Sequence, residues 1–479
     1  MNNKILKFFH KNRKYIMVFF LLFISSMSFW YMDTQSNTRH SMNIWKALFE
    51  GRFFEFYSYN IASAVNGETV HKAVYEVFLY TVLAIWNLPL YIIEKIIGGN
   101  ILDFFPAKVY AKLFLIVLVF AAGKLTEQIA VQCGLKKEKA EECFFLFVGS
   151  AAVFSSSAVI GQIDIIGLVF ILSALLAYMK NEKLKFYILF IMAYQCKFFA
   201  MVVFIPLILL KEKNPIKILI KVGLPVVIAN IINIPFKIAD PAGMGYKSEI
   251  VGVEIDNMLA VKQEFMGTEL PYILLLFGGV CMLAYLIKEK NDYEKNLQYI
   301  YYAFIGLAAA FFVFSSPYRT IYIIPFMVIL LVKEERNYNI RFILFHAVMV
   351  GLLLGNIIEF RWCYDFAIMY DMLCDILLPF HKFELLGVDQ LSHMIRSEQF
   401  HNIWTIFYSL FVVYLIGFAF VHFPGRKEHT IFNDCDKSKE DKMEEKKYLF
   451  VFIINYLVSN IAVVLLIFSV IRNIFYKFY

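Results

Sequence analysis

Long apolar runs alternate with short, lysine-rich polar breaks along most of this chain. The first run, Tyr15 to Met32, follows Lys4, Lys7, Lys11, Arg13 and Lys14 and ends in Phe29-Trp30-Tyr31. An apolar helix crosses the ~30 Å hydrocarbon core in about 20 residues. This run therefore reads as an uncleaved signal anchor, with residues 1–14 in the cytoplasm and aromatic side chains at the far interface. Further spans are expected near 108–131, 142–158, 165–179, 184–198, 199–210, 218–236, 271–287, 298–315, 320–332, 342–359, 402–424 and 448–471. The pattern predicts an all-α polytopic membrane protein with about 13 transmembrane helices.

Charge gives the orientation. Under this threading the cytoplasmic segments are 1–14, 132–142, 179–186, 211–221, 288–297, 333–341 and 425–447. They hold 28 of the 46 Lys and Arg residues in 86 of the 479 positions. Short basic loops are retained on the cytoplasmic side. The segment His71–Gly98 decides the parity, because a crossing there would flip every later loop. It carries Glu76, Glu94 and Lys95 and is interrupted by Pro89, so it reads as a helix lying in the outer interface. Asp33 to Ala107 then forms one outer module, and 237–270 and 361–401 are long outer loops. The stretch 425–447 is a solvated cytoplasmic linker.

Composition agrees. Sixty per cent of residues are apolar and 18% charged, against about 45–50% and about 25% in soluble proteins. Mean hydropathy is +0.63. A soluble enzyme, a disordered chain and a disulfide-stapled module are excluded. The net charge of +7 does not gather on one soluble face, so nucleic acid is not an expected partner. Cys133, Cys143, Cys196, Cys281, Cys363, Cys374 and Cys435 form no CxxC pair and read as isolated thiols; only Cys363 and Cys374 could meet outside the membrane. His381, His393 and His401 share a loop without metal-ligand spacing.

Candidate chemistry lies at the outer ends of the spans. Asp33 ends the first run and precedes an amphipathic stretch, Arg39 to Tyr57, whose Ile44, Ala47, Leu48, Phe53 and Phe54 form a stripe broken by Gly51. A carboxylate at a membrane surface can act as a general base toward an acceptor hydroxyl; it can also simply terminate a helix. The turn 159–164 places Gln162 and Asp164 on the same outer face, where an ionisable group is a functional candidate and a polar turn is the plainer reading. Lys197 sits at the tip of a helical hairpin, 184–210, suited to a phosphate or to snorkelling. Arg319, beside Tyr318 in the outer turn Ser315-Ser316-Pro317-Tyr318-Arg319, suits a phosphate or pyrophosphate headgroup.

In order, Asp33, WKALFEGRFFEFY (45–57), an in-plane helix containing Pro89, YAKLFLIVLVFAAGKL (110–125), GQIDIIGLVFILSALLAY (161–178), YQCKFFAMVVFIPLILL (194–210) and SPYRTIYIIPF (316–326) resemble the GT-C glycosyltransferases. The resemblance is to bacterial relatives of the glycosylphosphatidylinositol mannosyltransferase group and covers roughly 15–210 and 298–332. It implies a GT-C-like catalytic module at 15–335 and a variable C-terminal region at 336–479. The implied activity moves a single sugar, with inversion, from a polyprenyl-phosphate carrier to a lipid-linked or cell-surface glycan on the extracytoplasmic face. By carry-over Asp33 is the catalytic base, and Asp164, with Gln162, orients the acceptor or helps to hold a metal. A divalent metal stays open and no other cofactor is implied. Lys197, Arg319 and Tyr318 are assigned to the carrier phosphate from charge and sidedness. The chain departs from the family in having Thr34-Gln35 where a second acidic residue is frequent, and a single proline where a pair is frequent. Two other classes remain. One is a polymerase or ligase of lipid-linked repeat units, for which Arg361, His381, His393, Arg396 and His401 would matter. The other is a lipid-linked glycan transporter, though no related halves are visible.

Overall fold

The computed structural model describes residues 12–27, 30–60, 64–65, 68–69, 72–313, 317–334, 338–360, 368, 398–424, 450 and 453–458. Helices dominate: α1 (Arg13–Ser26), α2 (Met32–Phe49), α3 (Val77–Ile97), α4 (Phe105–Gln132), α5 (Lys137–Val148), α6 (Asp164–Met179), α7 (Lys183–Cys196), α8 (Phe199–Lys211), α9 (Pro215–Ala239) and α10 (Pro241–Ala260). They continue as α11 (Tyr272–Leu286), α12 (Asp292–Phe311), α13 (Ile324–Lys333), α14 (Tyr338–Phe360) and α15 (Glu398–Val421). The described strands form two small antiparallel hairpins, Ala64–Val65 with Glu68–Thr69 and Lys262–Phe265 with Thr268–Pro271.

The main core gathers around α6, whose sequence is apolar on all sides and which is accordingly buried on nearly all of them. α4, α7 and the turn Pro317–Tyr322 pack against it, and α8, α12 and α13 extend the same core. Ile216, Leu219, Ile220, Val227 and Ile238 of α9 are exposed. An apolar surface of that extent is consistent with a membrane protein.

α3, α4 and α9 are long and apolar enough to cross a membrane, and the bent pair Lys137–Val148 plus Ala151–Ile160 would add one more if counted as a single span. This fits an all-α membrane protein, but not about 13 spans. Each expected span up to 402–424 does coincide with a helix. Several, however, including α6, α8, α11 and α13, contain only 10–17 residues, and at 1.5 Å per residue these fall short of a ~30 Å core. The expected span 448–471 lies mostly outside the described residues. So do the pairing of Cys363 with Cys374, the linker 425–447 and most of the loop 361–401. The four described cysteines are free thiols.

Other boundaries move as well. The helix expected over Arg39–Tyr57 begins at Met32 and stops at Phe49, because Gly51 takes the left-handed conformation (φ 69°) that ends helices. Its stripe is split: Ile44 and Ala47 are buried, Leu48 and Phe54 exposed. The loop 237–270 contains α10 and most of a hairpin. Asp240 holds this region to the α2–α3 module: its carboxylate accepts from the Ser58 backbone N–H (2.6 Å), the Ser58 hydroxyl (2.5 Å) and the Gly243 N–H (2.9 Å).

α2 and α3 form an antiparallel pair. Trp45 Nε1 donates to the Ala84 carbonyl (2.7 Å), Asn87 Nδ2 to Ser41 Oγ (2.9 Å), and Arg39 pairs with Glu94 (2.6 Å). The buried face of α2 is polar, with Thr34, Ser36, Asn37, Thr38 and Ser41 among its members. Hydrophobic burial alone does not hold this pair together.

Candidate functional site

The run expected as one span over 142–158 is broken. α5 ends at Val148, and the chain resumes at a 43° bend as Ala151–Ile160. Ser150 caps the new start, its hydroxyl accepting from the Val153 N–H. The last turns, Phe154–Ile160, widen into a π-helix, a rare form that often marks functional positions. Gly161 closes it at φ 84°, and the N–H groups of Gly161 and Gln162 both donate to the Ser156 carbonyl, at 3.1 and 2.8 Å.

This turn is docked from two sides. Lys112 of α4, fully buried, donates from Nζ to the Val159 carbonyl at 2.8 Å. The Thr34 hydroxyl is shared between the Ile160 and Gly161 carbonyls, at 3.1 and 3.0 Å. A Cβ on residue 161 would lie 3.0 Å from Thr34 Oγ1 and 3.1 Å from Lys112 Cε. Glycine is required there by conformation and by space. The docking brings Gln162 Nε2 to Asp33 Oδ2 at 3.2 Å. Asp33 is half-buried in the first turn of α2, where a carboxylate complements the helix dipole.

Asp164 opens α6 in the same way but is buried. Its Oδ1 meets the Lys197 ammonium at 3.3 Å and accepts from the Tyr322 hydroxyl at 3.2 Å. One turn along α6, a Cβ on Gly167 would come within 2.8 Å of that hydroxyl, so glycine keeps the approach open. Lys197 stands where α7 breaks before α8, in extended conformation (φ −159°, ψ 143°). Its Nζ also donates to the Tyr75 hydroxyl at 3.4 Å and lies 4.6 Å from the centre of that ring.

Tyr75 is the hub. Its backbone is fixed by the Tyr57 hydroxyl, which donates to its carbonyl (2.9 Å), and by the Tyr80 hydroxyl, which accepts from its N–H (3.3 Å). Burial raises its phenol well above the ordinary value. Asp164, Tyr318 and Asp33 push the same way, and Arg319 pushes against them. Tyr75 is therefore a neutral hydroxyl within electrostatic reach of all four. Tyr318 and Arg319 belong to the 3₁₀ turn Pro317–Tyr322. At three residues per turn, Arg319 shares a face with Tyr322, the residue tied to Asp164.

The residues singled out from sequence thus converge. Asp33 bonds Gln162, Asp164 pairs with Lys197, and Tyr318 and Arg319 act electrostatically on the hydroxyl that Lys197 touches. Sequence reasoning missed Tyr75, Tyr322, Thr34, Lys112 and Gly161 as members. Lys112 had a signal, an ammonium inside an apolar run; Tyr75 had none. The donor set does not fit a divalent cation. Oδ1 of Asp164 is matched by an ammonium and a hydroxyl, and among the described residues no three His, Cys, Asp or Glu side chains gather as ligands. Lys112, Lys197 and Arg319 outnumber the two carboxylates, a balance suited to an anion.

No family model, curated protein or solved structure matches this chain.

Proposed function

We propose that the protein is an integral-membrane inverting glycosyltransferase that moves one sugar from a polyprenyl-phosphate carrier to a glycan or lipid-linked hydroxyl on the extracytoplasmic face. The observation that carries this reading is a division of labour between two carboxylates. Asp164 is buried and held by Lys197, whereas Asp33 is half-buried and held only on Oδ2, by the neutral Gln162 amide, among the contacts that define the site. Asp33 is therefore the better exposed carboxylate, and the one assigned as base toward the acceptor hydroxyl. It takes the O–H proton as the acceptor oxygen attacks the anomeric carbon in line. The bond from that carbon to the carrier phosphate breaks, and the proton remains on Asp33. Lys197 and Arg319 stabilise the charge that develops on the leaving phosphate.

Asp33→Asn keeps shape and most hydrogen bonding but removes the proton acceptor. The expected loss of transfer is about 10²–10⁴-fold with thermal stability near wild type. Near-normal sugar transfer by this variant would eliminate the mechanism.

A further inference from the structure

The Asp164–Lys197 pair has features that a purely structural ion pair would lack. Charge-assisted N–H···O bonds typically span about 2.7–2.9 Å, yet this one is 3.3 Å long and shares its oxygen with Tyr322. The other oxygen, Oδ2, is buried and accepts no hydrogen bond among the described residues. A buried carboxylate so poorly satisfied is costly. Its cation, by contrast, sits at the edge: the Lys197 side chain is 11% exposed while that of Asp164 is at 0%. The lysine springs from a helix break rather than a helix face, and of its three N–H groups the described contacts engage Asp164 and Tyr75.

We propose that Asp164 competes with the phosphate for Lys197: it holds the ammonium until an arriving carrier phosphate draws it off, and the carboxylate then takes a substrate hydroxyl. This rests on the reading of the site as a carrier-phosphate site, and it sets an order in which the phosphate engages first. A carrier phosphate offers the ammonium an anionic, better exposed partner that is not already shared with a tyrosine. Once Lys197 has moved, Asp164 keeps only Tyr322, and a sugar hydroxyl is the neutral donor that restores its balance without reintroducing a charge. The two binding events are thereby coupled, and coupling is reciprocal.

The competition has a distinctive sign. If Asp164 merely positioned Lys197, Asp164→Asn would weaken phosphate binding; as a competitor, its removal strengthens it. The full-length protein in nanodiscs would be titrated with a polyprenyl monophosphate and, separately, with inorganic phosphate. Asp164→Asn is expected to bind the lipid phosphate about 5-fold or more tightly than wild type, the lower range of such couplings. Tyr322→Phe, which strips a neutral donor from Oδ1 without touching the ligand, strengthens the hold on Lys197 and is expected to bind more weakly. Equal or weaker binding by Asp164→Asn overturns the proposal, and the assignment of Asp33 as the base stands or falls separately, on Asp33→Asn. Should that variant not fold, unchanged or tighter binding by Tyr322→Phe overturns it instead. A gain seen with inorganic phosphate alone supports the competition and overturns the lipid-carrier reading. No binding of either probe by any of these proteins overturns the competition itself.

Discussion

Gln162 donates its side-chain amide to Asp33 across 129 positions of sequence, at 3.2 Å. The bond links the first turn of α2 to the residues that open α6, and it leaves Oδ1 of Asp33 for a second donor. Gln162 is itself almost fully buried, so its amide has little freedom to turn away. A hydrogen bond to a charged group is worth about 1.5–3 kcal/mol. Gln162→Leu is therefore expected to lower transfer by about 10- to 100-fold, less than Asp33→Asn, with little change in donor affinity. Transfer kinetics with separate kcat and KM would show it; an effect confined to KM would argue for a different role.

Gly161→Ala is expected to destabilise the protein by about 1–3 kcal/mol, because the residue is held in the left-handed region. The added methyl also presses on Thr34 and Lys112, the two residues that dock the turn. Thermal unfolding in detergent should show a lower midpoint, and a residual fold should carry impaired activity.

Lys112→Met keeps length and apolar bulk but leaves the Val159 carbonyl without the Lys112 ammonium. An abandoned buried acceptor costs about 1–3 kcal/mol. The melting point is expected to fall, and backbone hydrogen exchange to quicken at 159–162 more than elsewhere in the protein. Uniform exchange would mean that Lys112 does not anchor this turn.

Tyr75 supplies a pH dependence. Its phenol is raised in the folded protein, chiefly by burial and then by Asp164, so the folded state keeps its proton where the unfolded chain, with a value near 10.0, has lost it. The resulting stability is fully present below the unfolded value and is lost as pH rises above it. Tyr75→Phe should flatten that alkaline decline in denaturation midpoints relative to wild type. Parallel curves would contradict the raised value.

The orientation of α3 is open to direct test. By length and composition it could cross a membrane, yet it runs antiparallel to α2, whose polar face it covers through the Ala84 carbonyl, Asn87 and Glu94. A helix as polar as α2 is costly to drag through lipid. Cysteines placed at Lys72 and Gly98, in a background without native thiols, are expected to react with an impermeant reagent from the same side. Labelling from opposite sides would make α3 a true span and reverse the sidedness of every later basic loop.

The alternation of apolar runs with lysine-rich breaks located most of the described helices, though not α10 inside the expected loop 237–270, because lipid and core both select for local apolar composition, and composition is written residue by residue. It also marked Asp33, Gln162, Asp164, Lys197, Tyr318 and Arg319, since charged and polar groups at the ends of apolar runs stand out against their surroundings. Helix length was less legible: hydropathy does not register Gly51, or the bend and π-helix between Val148 and Gly161, which depend on backbone geometry. What only the tertiary structure decided was who meets whom. Tyr75 lies in an unremarkable stretch and becomes the hub because Tyr57 and Tyr80 fix its backbone beside the break that carries Lys197. Asp33 and Asp164 look alike in sequence, each opening a helix, and they differ because the fold buries one against an ammonium and leaves the other half-exposed. Pairing and solvation are sums over neighbours distant in the chain, and no local pattern carries them.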